Sequence, residues 1–428
     1  MTMLKKITGS EHVNRDLILL LCIGGFYSLS IALSNTFVNV YLWKQSGRFQ
    51  DLALYNLAIV VLQPLTFILA GRLAKKIDRI IVLRLGVSFL AVFFMAVLMV
   101  GSNARHYLLL LGALLGIGYG FYWLAFNVLT FEITEPETRD FFNGFLGILT
   151  SAAGMIGPIA AGYIISSLAK WKGYTLIFAI SLALFLVAVA LSFLLKRRPA
   201  NGKYALLRIV KERKNNKDWR LITNAHFFQG LREGIFVFII SVFVYMATGS
   251  EWALGKFGFV NSLTSFIAYY IVSRIIKPSY RKTAILCGGL LLYAALFLIV
   301  FDLSYGRLML YAAAIAIGYP VLLVPYSSLT FDVIGRSWES GEMRIEYIVV
   351  RELFLNSGRI VSIVAFLLTI TLFNEKIGIP ALMLVLGAGH AFIYFCVRPI
   401  GLKGKRSNEG EDVVIHRNLT NKEGGSPA

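Results

Sequence analysis

Residues 118–133 have the sequence GYGFYWLAFNVLTFEI, and residues 318–333 have the sequence GYPVLLVPYSSLTFDV. The two segments align without a gap at an offset of 200 residues, and both begin with Gly-Tyr and contain Leu-Thr-Phe near the end. An acidic residue and then a β-branched residue close each copy. A fixed internal offset indicates a repeated architecture. This offset is far too long for a solenoid, so it predicts a duplicated half.

The composition of the 428-residue chain is that of a membrane protein. Hydrophobic residues make up 57% of it and charged residues only 15%, with a mean hydropathy of +0.71. A soluble domain is about half apolar and about a quarter charged. Here the excess lies in long uncharged runs, each near the ~20 residues that a helix needs to cross a hydrocarbon core of ~30 Å. These runs exclude a soluble helical protein.

The runs predict an all-α integral membrane protein with twelve transmembrane helices in two pseudo-symmetric halves of six. The Lys-, Arg- and Asn-rich segment 196–220 separates an N-terminal half, 1–195, from a C-terminal half, 221–400. The polar tail 401–428 is expected to be disordered. The predicted spans cover residues 17–43, 52–70, 80–101, 107–130, 143–168, 173–195, 221–247, 253–273, 283–302, 307–330, 346–373 and 379–397.

Lysine and arginine are concentrated in the segments on one side of these spans. The positive-inside rule then places both termini and the linker in the cytoplasm, in a multi-pass protein of the cell membrane. The net charge of +19 is accounted for by basic loops that face anionic lipid head groups. We therefore expect membrane lipids as partners, no nucleic acid, and a monomer.

The loop after the second span, residues 71–79, has the sequence GRLAKKIDR. With this G-x-L-A-x-K pattern, twelve spans, two homologous halves and a basic central segment, the chain resembles the major facilitator superfamily of transporters over nearly its whole length. The family's loop normally has Asp where this chain has Lys75, and Gly where it has Asp78. The resemblance therefore implies that the usual charge latch of this loop is rebuilt or absent.

Two further segments bear on the mode of transport. Residues 154–162, GMIGPIAAG, are similar to a glycine-proline motif of antiporter members, which implies a hinge biased toward efflux. Simple close packing of helices through small residues explains the segment as well. Drug–proton antiporters of the family carry an Arg in the fourth span, whereas residues 110–116 contain no charge.

Charged side chains inside the spans lie almost wholly in the C-terminal half. An ion in hydrocarbon costs at least about 3 kcal/mol, so it normally faces a partner or a wet cavity. We predict that a central cavity is lined there by substrate-binding Arg232, Asn356 and Arg359 and by proton-coupling Glu233 and Glu352. The alternative is a salt-bridge cluster that only holds the half together. Because Arg232 and Glu233 are adjacent, they point about 100° apart and cannot face the same place.

The N-terminal half offers polar and aromatic groups without charge. In the family, the first and fourth spans line the central cavity. Aromatic and amide groups there suit a sugar, an amphiphile or a drug-like ring. The alternative is that they are interhelical contacts or interface aromatics. The candidate substrate-binding residues on these spans are Tyr27, Ser30, Ser34, Asn35, Tyr119, Tyr122, Trp123 and Asn127.

Charged residues that follow the two repeated segments suggest a gate. Glu132 could pair with Arg139, and Asp332 could pair with Arg344 or Arg351, across the inner ends of the halves. The hypothesis is an inner gate that is closed when the molecule faces outward.

No enzyme signature is present. The chain has no P-loop, G-x-S-x-G, H-E-x-x-H or Cys/His cluster, so we expect neither an enzyme nor a cofactor or metal site. Three functions remain. The first is secondary transport of a small solute or drug-like compound, with proton-coupled efflux as one form of it. The second is flipping of a lipid or lipid-linked precursor, and the third is a non-transporting membrane scaffold or sensor.

Overall fold

The computed structural model describes residues 14–133, 136–168, 171–200 and 202–401, and the predicted tail lies outside them from residue 402 onward. The side chains of residues 131, 136–141, 143 and 144 are also outside the description. Apart from one isolated bridge, the described residues form helices joined by short connections. The helices are α1 (Arg15–Ser46), α2 (Phe49–Lys76), α3 (Arg79–Val100), α4 (Leu108–Ile133), α5 (Pro136–Ser167), α6 (Lys172–Leu194), α7 (Leu206–Asn215), α8 (Lys217–Thr248), α9 (Glu251–Ile275), α10 (Arg281–Ala294), α11 (Tyr305–Gly335), α12 (Arg344–Leu372), α13 (Glu375–Gly387) and α14 (Gly389–Val397).

The predicted all-α fold of twelve spans is confirmed. In the described part of the chain, ten helical segments are long and apolar enough to cross a membrane. One of them, Arg79–Thr130, contains both α3 and α4, and another, Glu375–Val397, contains α13 and α14. Helix α9, whose apolar residues are interrupted by Lys256 and Asn261, completes the twelve.

The two halves repeat one pattern of helix packing. In the N-terminal half α1 packs on α5 and α6, while α4 packs on α2 and α3. In the C-terminal half α8 packs on α12 and α14, while α11 packs on α9 and α10. The halves meet at two equivalent places, where α2 packs on α12 and where α5 packs on α9. The repeated segments 118–133 and 318–333 form the C-terminal parts of the equivalent helices α4 and α11.

The contact between α5 and α9 depends on small residues. A Cβ atom at Gly162 would lie 3.0 Å from the Cα of Gly255, and a Cβ at Gly258 would lie 2.6 Å from the Cβ of Pro158. Larger side chains would therefore push these two backbones apart. The glycine-proline segment 154–162 thus lies at this contact between the halves through Pro158 and Gly162, while its Gly157 packs against Ala32 of α1 in its own half.

The central linker is structured. Helix α7 buries Ile209, whose carbonyl oxygen accepts a hydrogen bond from the indole of Trp219 at 3.2 Å. The side chain of Asn216 caps α8, so this helix begins at Lys217, inside the stretch predicted as linker. We call the end of the bundle that carries α7 the linker face, and the opposite end, which carries the C-terminus of α1 and the N-terminus of α9, the distal face.

Candidate functional site

A central cavity of about 490 Å³ lies between the two halves. Helices α1, α2 and α4 form one wall, and α8 and α12 form the other. It extends from Asn39 and Asn56, in the part of the bundle nearer the distal face, to Asn127 and Arg351, nearer the linker face. A cavity shared by both halves can change its access when the halves move relative to each other.

The C-terminal wall of the central cavity carries two ion pairs. Arg359 Nη2 lies 2.5 Å from Glu233 Oε2, and Arg351 Nη2 lies 2.7 Å from Glu352 Oε1. Gln229 also donates a hydrogen bond of 2.8 Å to the other oxygen of Glu233. Each lining cation is thus matched by a carboxylate, so this wall is highly polar but has no net charge.

The N-terminal wall is neutral. Asn56 donates a 3.0 Å hydrogen bond to the side-chain oxygen of Asn39, and the Tyr119 hydroxyl donates a 3.4 Å bond to that of Asn35. The indole of Trp123 adds an aromatic surface, with 36% of the residue exposed. A ligand between the walls therefore meets amides and rings on one side and paired ions on the other.

A second cavity of about 380 Å³ lies beside the first, among α1, α5, α8, α9 and α11. Asn35 and Val237 line both cavities. Arg232 faces the second cavity, while its chain neighbour Glu233 faces the first. The predicted divergence of these two adjacent side chains is confirmed, but the predicted place of Arg232 in the central cavity is wrong, because its side chain points toward α9 and α11.

Several predicted substrate-binding residues line the central cavity: Asn35, Tyr119, Trp123, Asn127 and Arg359, together with the two predicted proton-coupling residues Glu233 and Glu352. Their binding to a substrate or proton stays a prediction. The structure adds Tyr55, which lines the same cavity from α2 and which the polar pattern of the first and fourth spans did not include.

The predicted cavity positions of Tyr27, Tyr122, Ser30 and Ser34 are wrong. The rings of Tyr27 and Tyr122 stack on each other with centroids 3.9 Å apart. Ser30 donates a hydrogen bond to the Ser181 carbonyl oxygen of α6, and Ser34 bonds to the Ser30 carbonyl of its own helix. Tyr27, Ser30 and Ser34 share one face of α1, and that face packs inside the N-terminal half against α4 and α6.

Asn356 is also buried away from the central cavity. Its side chain donates to the Glu352 carbonyl oxygen at 3.0 Å and accepts from Arg359 Nη1 at 3.3 Å. It therefore contacts the cavity residue Arg359 and does not itself line the central cavity, which corrects its predicted position.

The predicted gate pairs differ from those in the structure. Glu132 pairs with Arg79 at 2.8 Å, and Asp332 pairs with Arg281 at 2.7 Å. Each pair joins the C-terminal end of one helix to the start of another helix in the same half. Arg79 is the first residue of α3 and Arg281 is the first residue of α10, so each arginine lies beside the carboxylate at the end of the other helix. Arg351 bonds to Glu352 and not to Asp332. The predicted gate residue Arg139 lies outside the described side chains.

An ion pair that the sequence pattern did not indicate connects the halves at the linker face. Lys75 Nζ of α2 lies 2.5 Å from Glu346 Oε1 of α12, and it also donates to the Glu342 carbonyl oxygen at 3.0 Å. The same Glu346 oxygen accepts the backbone N–H of Ala205 at the start of α7. Lys75, at the position where the resemblance implied a departure from the usual Asp, thus makes a charge contact between the halves. Burial, with the nearby Glu346, raises the pKa of Tyr204, so this phenol stays neutral.

The segment before α7 strengthens this linker-face contact. Ala200 donates a backbone hydrogen bond of 2.9 Å to Ile77, and Gly202 donates one of 2.8 Å to Lys75. Arg197 pairs with the buried carboxylate of Asp78 at 3.1 Å. The linker therefore lies across the loop that follows α2.

A second ion pair connects the halves at the distal face. Lys44 Nζ at the end of α1 lies 2.7 Å from Glu251 Oε1, in the first turn of α9. Tyr174 donates to the same carboxylate at 2.9 Å. The lysine ammonium also lies 5.3 to 5.5 Å from the ring centroids of Trp171, Tyr174 and Tyr245, within cation–π range. In both cross-half pairs the N-terminal half supplies lysine and the C-terminal half supplies glutamate.

Comparison with known proteins gives the family and the fold. A model of the Major Facilitator Superfamily matches residues 17–341. The uncharacterized protein YqgE of Bacillus subtilis (strain 168) is 63% identical over 415 residues, which cover 97% of this chain and 96% of that protein. An uncharacterized protein in the sodM 3' region of Geobacillus stearothermophilus is 78% identical over 178 residues, or 42% of this chain and 83% of that protein.

Two solved structures share the arrangement of helices. The human organic anion transporter MFSD10 (TETRAN) superposes with a TM-score of 0.65 at 17% identity, covering 90% of this chain and 99% of that one. A bacterial homologue of the iron transporter ferroportin, in an outward-facing state with soaked iron, superposes with a TM-score of 0.63 at 17% identity and the same coverage. At this identity the likeness concerns the fold alone.

Proposed function

Since the chain belongs to the Major Facilitator Superfamily, we propose that it moves a small amphiphilic organic solute across the cell membrane by alternating access. The observation that carries this proposal is the central cavity, which lies between the halves and has a cross-half ion pair toward each face of the bundle. Its volume falls in the range of about 300–1,000 Å³ that small-molecule pockets occupy. The neutral aromatic wall and the ionic wall suit a solute with an apolar body and a polar group.

The two cross-half ion pairs are the proposed gates. For the cavity to open at the linker face, the contact between Lys75 and Glu346 must break; for it to open at the distal face, the contact between Lys44 and Glu251 must break. The structure has both contacts formed, as an intermediate between two open states would. Alternating access then means that the pairs are broken one at a time.

Proton coupling is proposed at Glu233. As a carboxylate, it holds Arg359 and accepts a bond from Gln229. Protonation would remove one charge of the pair and release Arg359 toward the cavity, so proton binding and solute binding would compete for the same groups. Gradient-driven antiport requires this kind of competition. The glycine-proline segment at the α5–α9 contact supports efflux as the direction, with the protein acting as a monomer and the linker face in the cytoplasm.

Alternating access can be tested without knowing the substrate. A single cysteine placed in the central cavity by Asn39→Cys, in a chain with Cys22, Cys287 and Cys396 replaced by Ala, is labelled with a membrane-impermeant maleimide. The reagent is applied to whole cells and, separately, to inverted vesicles. A transporter is expected to be labelled from both sides. A scaffold or sensor of fixed conformation would be labelled from one side only or from neither.

Cross-links make this test specific for the proposed gates. Joining Lys44→Cys to Glu251→Cys should abolish labelling from the distal side alone, and joining Lys75→Cys to Glu346→Cys should abolish it from the linker side alone. The two cross-links are each other's controls. If both block labelling from the same side, or neither affects it, the gates are not where we propose.

Proton coupling has its own test in proteoliposomes. Benzoate, benzyl alcohol and benzylamine are offered with and without a pH gradient, and internal pH is followed with a fluorescent dye. For a transported probe, Glu233→Gln should keep exchange but lose the dependence on the gradient, while Glu375→Gln, at the exposed start of α13, should keep both. A gradient dependence that survives in Glu233→Gln places coupling elsewhere. Movement of a labelled phospholipid, with none of the three solutes, would favour a flippase.

A further inference from the structure

The second cavity contains a buried cation without a carboxylate partner. Arg232 is only 1% exposed, yet it is one of the residues that line this cavity. Its Nη1 donates to the Tyr319 hydroxyl at 2.5 Å, while its Nε and Nη2 atoms have no hydrogen-bond partner. Two of its donor groups are therefore desolvated and unused.

The charge of Glu233 and the hydroxyls of Tyr311 and Tyr319 act on this guanidinium, but no described carboxylate pairs with it directly. Among the residues that the structure describes, no carboxylate lies within ion-pair distance of Arg232. The nearest along the chain, Glu233, is engaged by Arg359 and Gln229 in the other cavity. The rings of Phe236 and Tyr319 lie 4.8 and 5.2 Å from the guanidinium and offer only cation–π attraction. Because an unpaired buried charge is costly, the site is short of one negative group.

The rest of the second cavity is mainly apolar. Phe257, Ile240 and Leu254 line it together with Phe236, and Asn261 and Ser262 contribute the polar groups of α9. Arg232 is the one charged residue among its described lining residues. The ligand that fits best has an apolar or aromatic body and a single negative group, and a guanidinium binds a carboxylate through two parallel hydrogen bonds.

We propose that the second cavity is a carboxylate-binding subsite in which Arg232 holds the anionic group of a monovalent, amphipathic organic acid. Asn35 and Val237 line both cavities, so a carboxylate at Arg232 leaves the body of the ligand next to the central path. The binding site stands on its own geometry; that such acids are the transported substrates rests on the proposed function. The competing explanation is that Arg232 only ties α8 to α11 through Tyr319.

Binding to the purified full-length protein in detergent distinguishes the two explanations. Benzoate is the probe, benzyl alcohol is its neutral counterpart and benzylamine its cationic counterpart; binding is measured by thermal stabilisation and by calorimetry. Wild type is expected to bind benzoate in preference to both others. Arg232→Gln should weaken benzoate binding by about tenfold to a hundredfold, since hydrogen bonds to a charged group contribute roughly 1.5–3 kcal/mol.

Two matched variants serve as controls. Arg84→Gln removes a cation of α3 that lines neither cavity and donates to the Ser192 carbonyl oxygen, and it should leave benzoate affinity within about twofold. Arg232→Lys keeps the positive charge but loses the two parallel N–H donors of the guanidinium, so this variant should bind benzoate with intermediate affinity. Unchanged benzoate affinity in folded Arg232→Gln would overturn the proposal. If Arg232→Gln does not fold, the selectivity of the wild-type protein decides. Equal affinity of the wild type for benzoate and benzylamine would also overturn the proposal.

The outcomes also separate this subsite from the proposed function. Selective benzoate binding in a protein that shows no alternating labelling would refute transport and leave the subsite in place. Two-sided labelling, with transport of a neutral or cationic probe and no benzoate binding, would refute the subsite and leave transport in place.

Discussion

The two halves of the molecule place the same tyrosine beside different partners. In the N-terminal half, Tyr119 of α4 donates to the amide oxygen of Asn35 on α1. In the C-terminal half, Tyr319 of α11, at the matching position of the repeat, accepts a hydrogen bond from the guanidinium of Arg232 on α8. The helices and the tyrosine are repeated, but the partner on the first helix of each half has changed from a neutral amide to a cation.

This difference shows which parts of the duplicated structure were free to diverge. The helix contacts within each half match one another, and so do the loop ion pairs formed by Glu132 and Asp332. The groups that face the cavities do not match: amides in one half stand opposite ions in the other. Packing restricts both halves to one scaffold, whereas a cavity wall only has to remain polar enough for its ligand.

A substitution at a contact between the halves has the largest expected effect on the free energy of unfolding. The α2–α12 contact contains the buried Lys75–Glu346 pair, whereas the equivalent α5–α9 contact is made by glycine and proline. Glu346→Gln should lower the free energy of unfolding by about 3–5 kcal/mol, because it leaves Lys75 buried without a counter-charge. Thermal and denaturant unfolding in detergent measure this.

The control for that prediction is the charge exchange Lys75→Glu with Glu346→Lys, which should recover part of the lost stability. A loss below about 1 kcal/mol in Glu346→Gln would mean that water reaches Lys75 freely. The α2–α12 and α5–α9 contacts would then differ in their residues but not in how much they stabilise the protein.

Removing the hydroxyl groups of the repeated tyrosines has an intermediate expected effect on the free energy of unfolding. Tyr319→Phe removes a hydrogen bond to a charged group and should cost about 2 kcal/mol, whereas Tyr119→Phe removes a neutral one and should cost about 1 kcal/mol or less. Unfolding of the two variants under one set of conditions measures the difference. Equal costs would indicate that Arg232 finds another acceptor when the Tyr319 hydroxyl is absent.

The loop ion pairs, Glu132 with Arg79 and Asp332 with Arg281, give the smallest expected effect on the free energy of unfolding. They test a feature that the two halves share. Arg79→Gln and Arg281→Gln each break a partly exposed pair and should each cost about 0.2–1 kcal/mol. The two losses should also agree within experimental error, since the pairs occupy matching positions in the halves. A loss several times larger in one variant would show that its pair does more than join two helices of its own half.

Much of the fold could be predicted from the sequence, but only part of the site. The offset between residues 118–133 and 318–333 indicated the duplication, and the angle between adjacent helical positions predicted that Arg232 and Glu233 diverge. The same reasoning failed for Ser30 and Ser34. Helical periodicity shows which residues share a face but not what that face meets, and in a helix that is apolar all round no polarity gradient points to the cavity.

By itself the sequence determined the spans, the two halves and the location of the ions in the second half. These are local properties, because a run of about 20 apolar residues must satisfy its own backbone hydrogen bonds in lipid and so becomes a helix wherever it lies. Only the tertiary structure decided the partners: Lys75 with Glu346, Lys44 with Glu251, and Arg232 with no carboxylate. Those pairings join residues far apart in the chain, and their geometry exists only after the helices have packed.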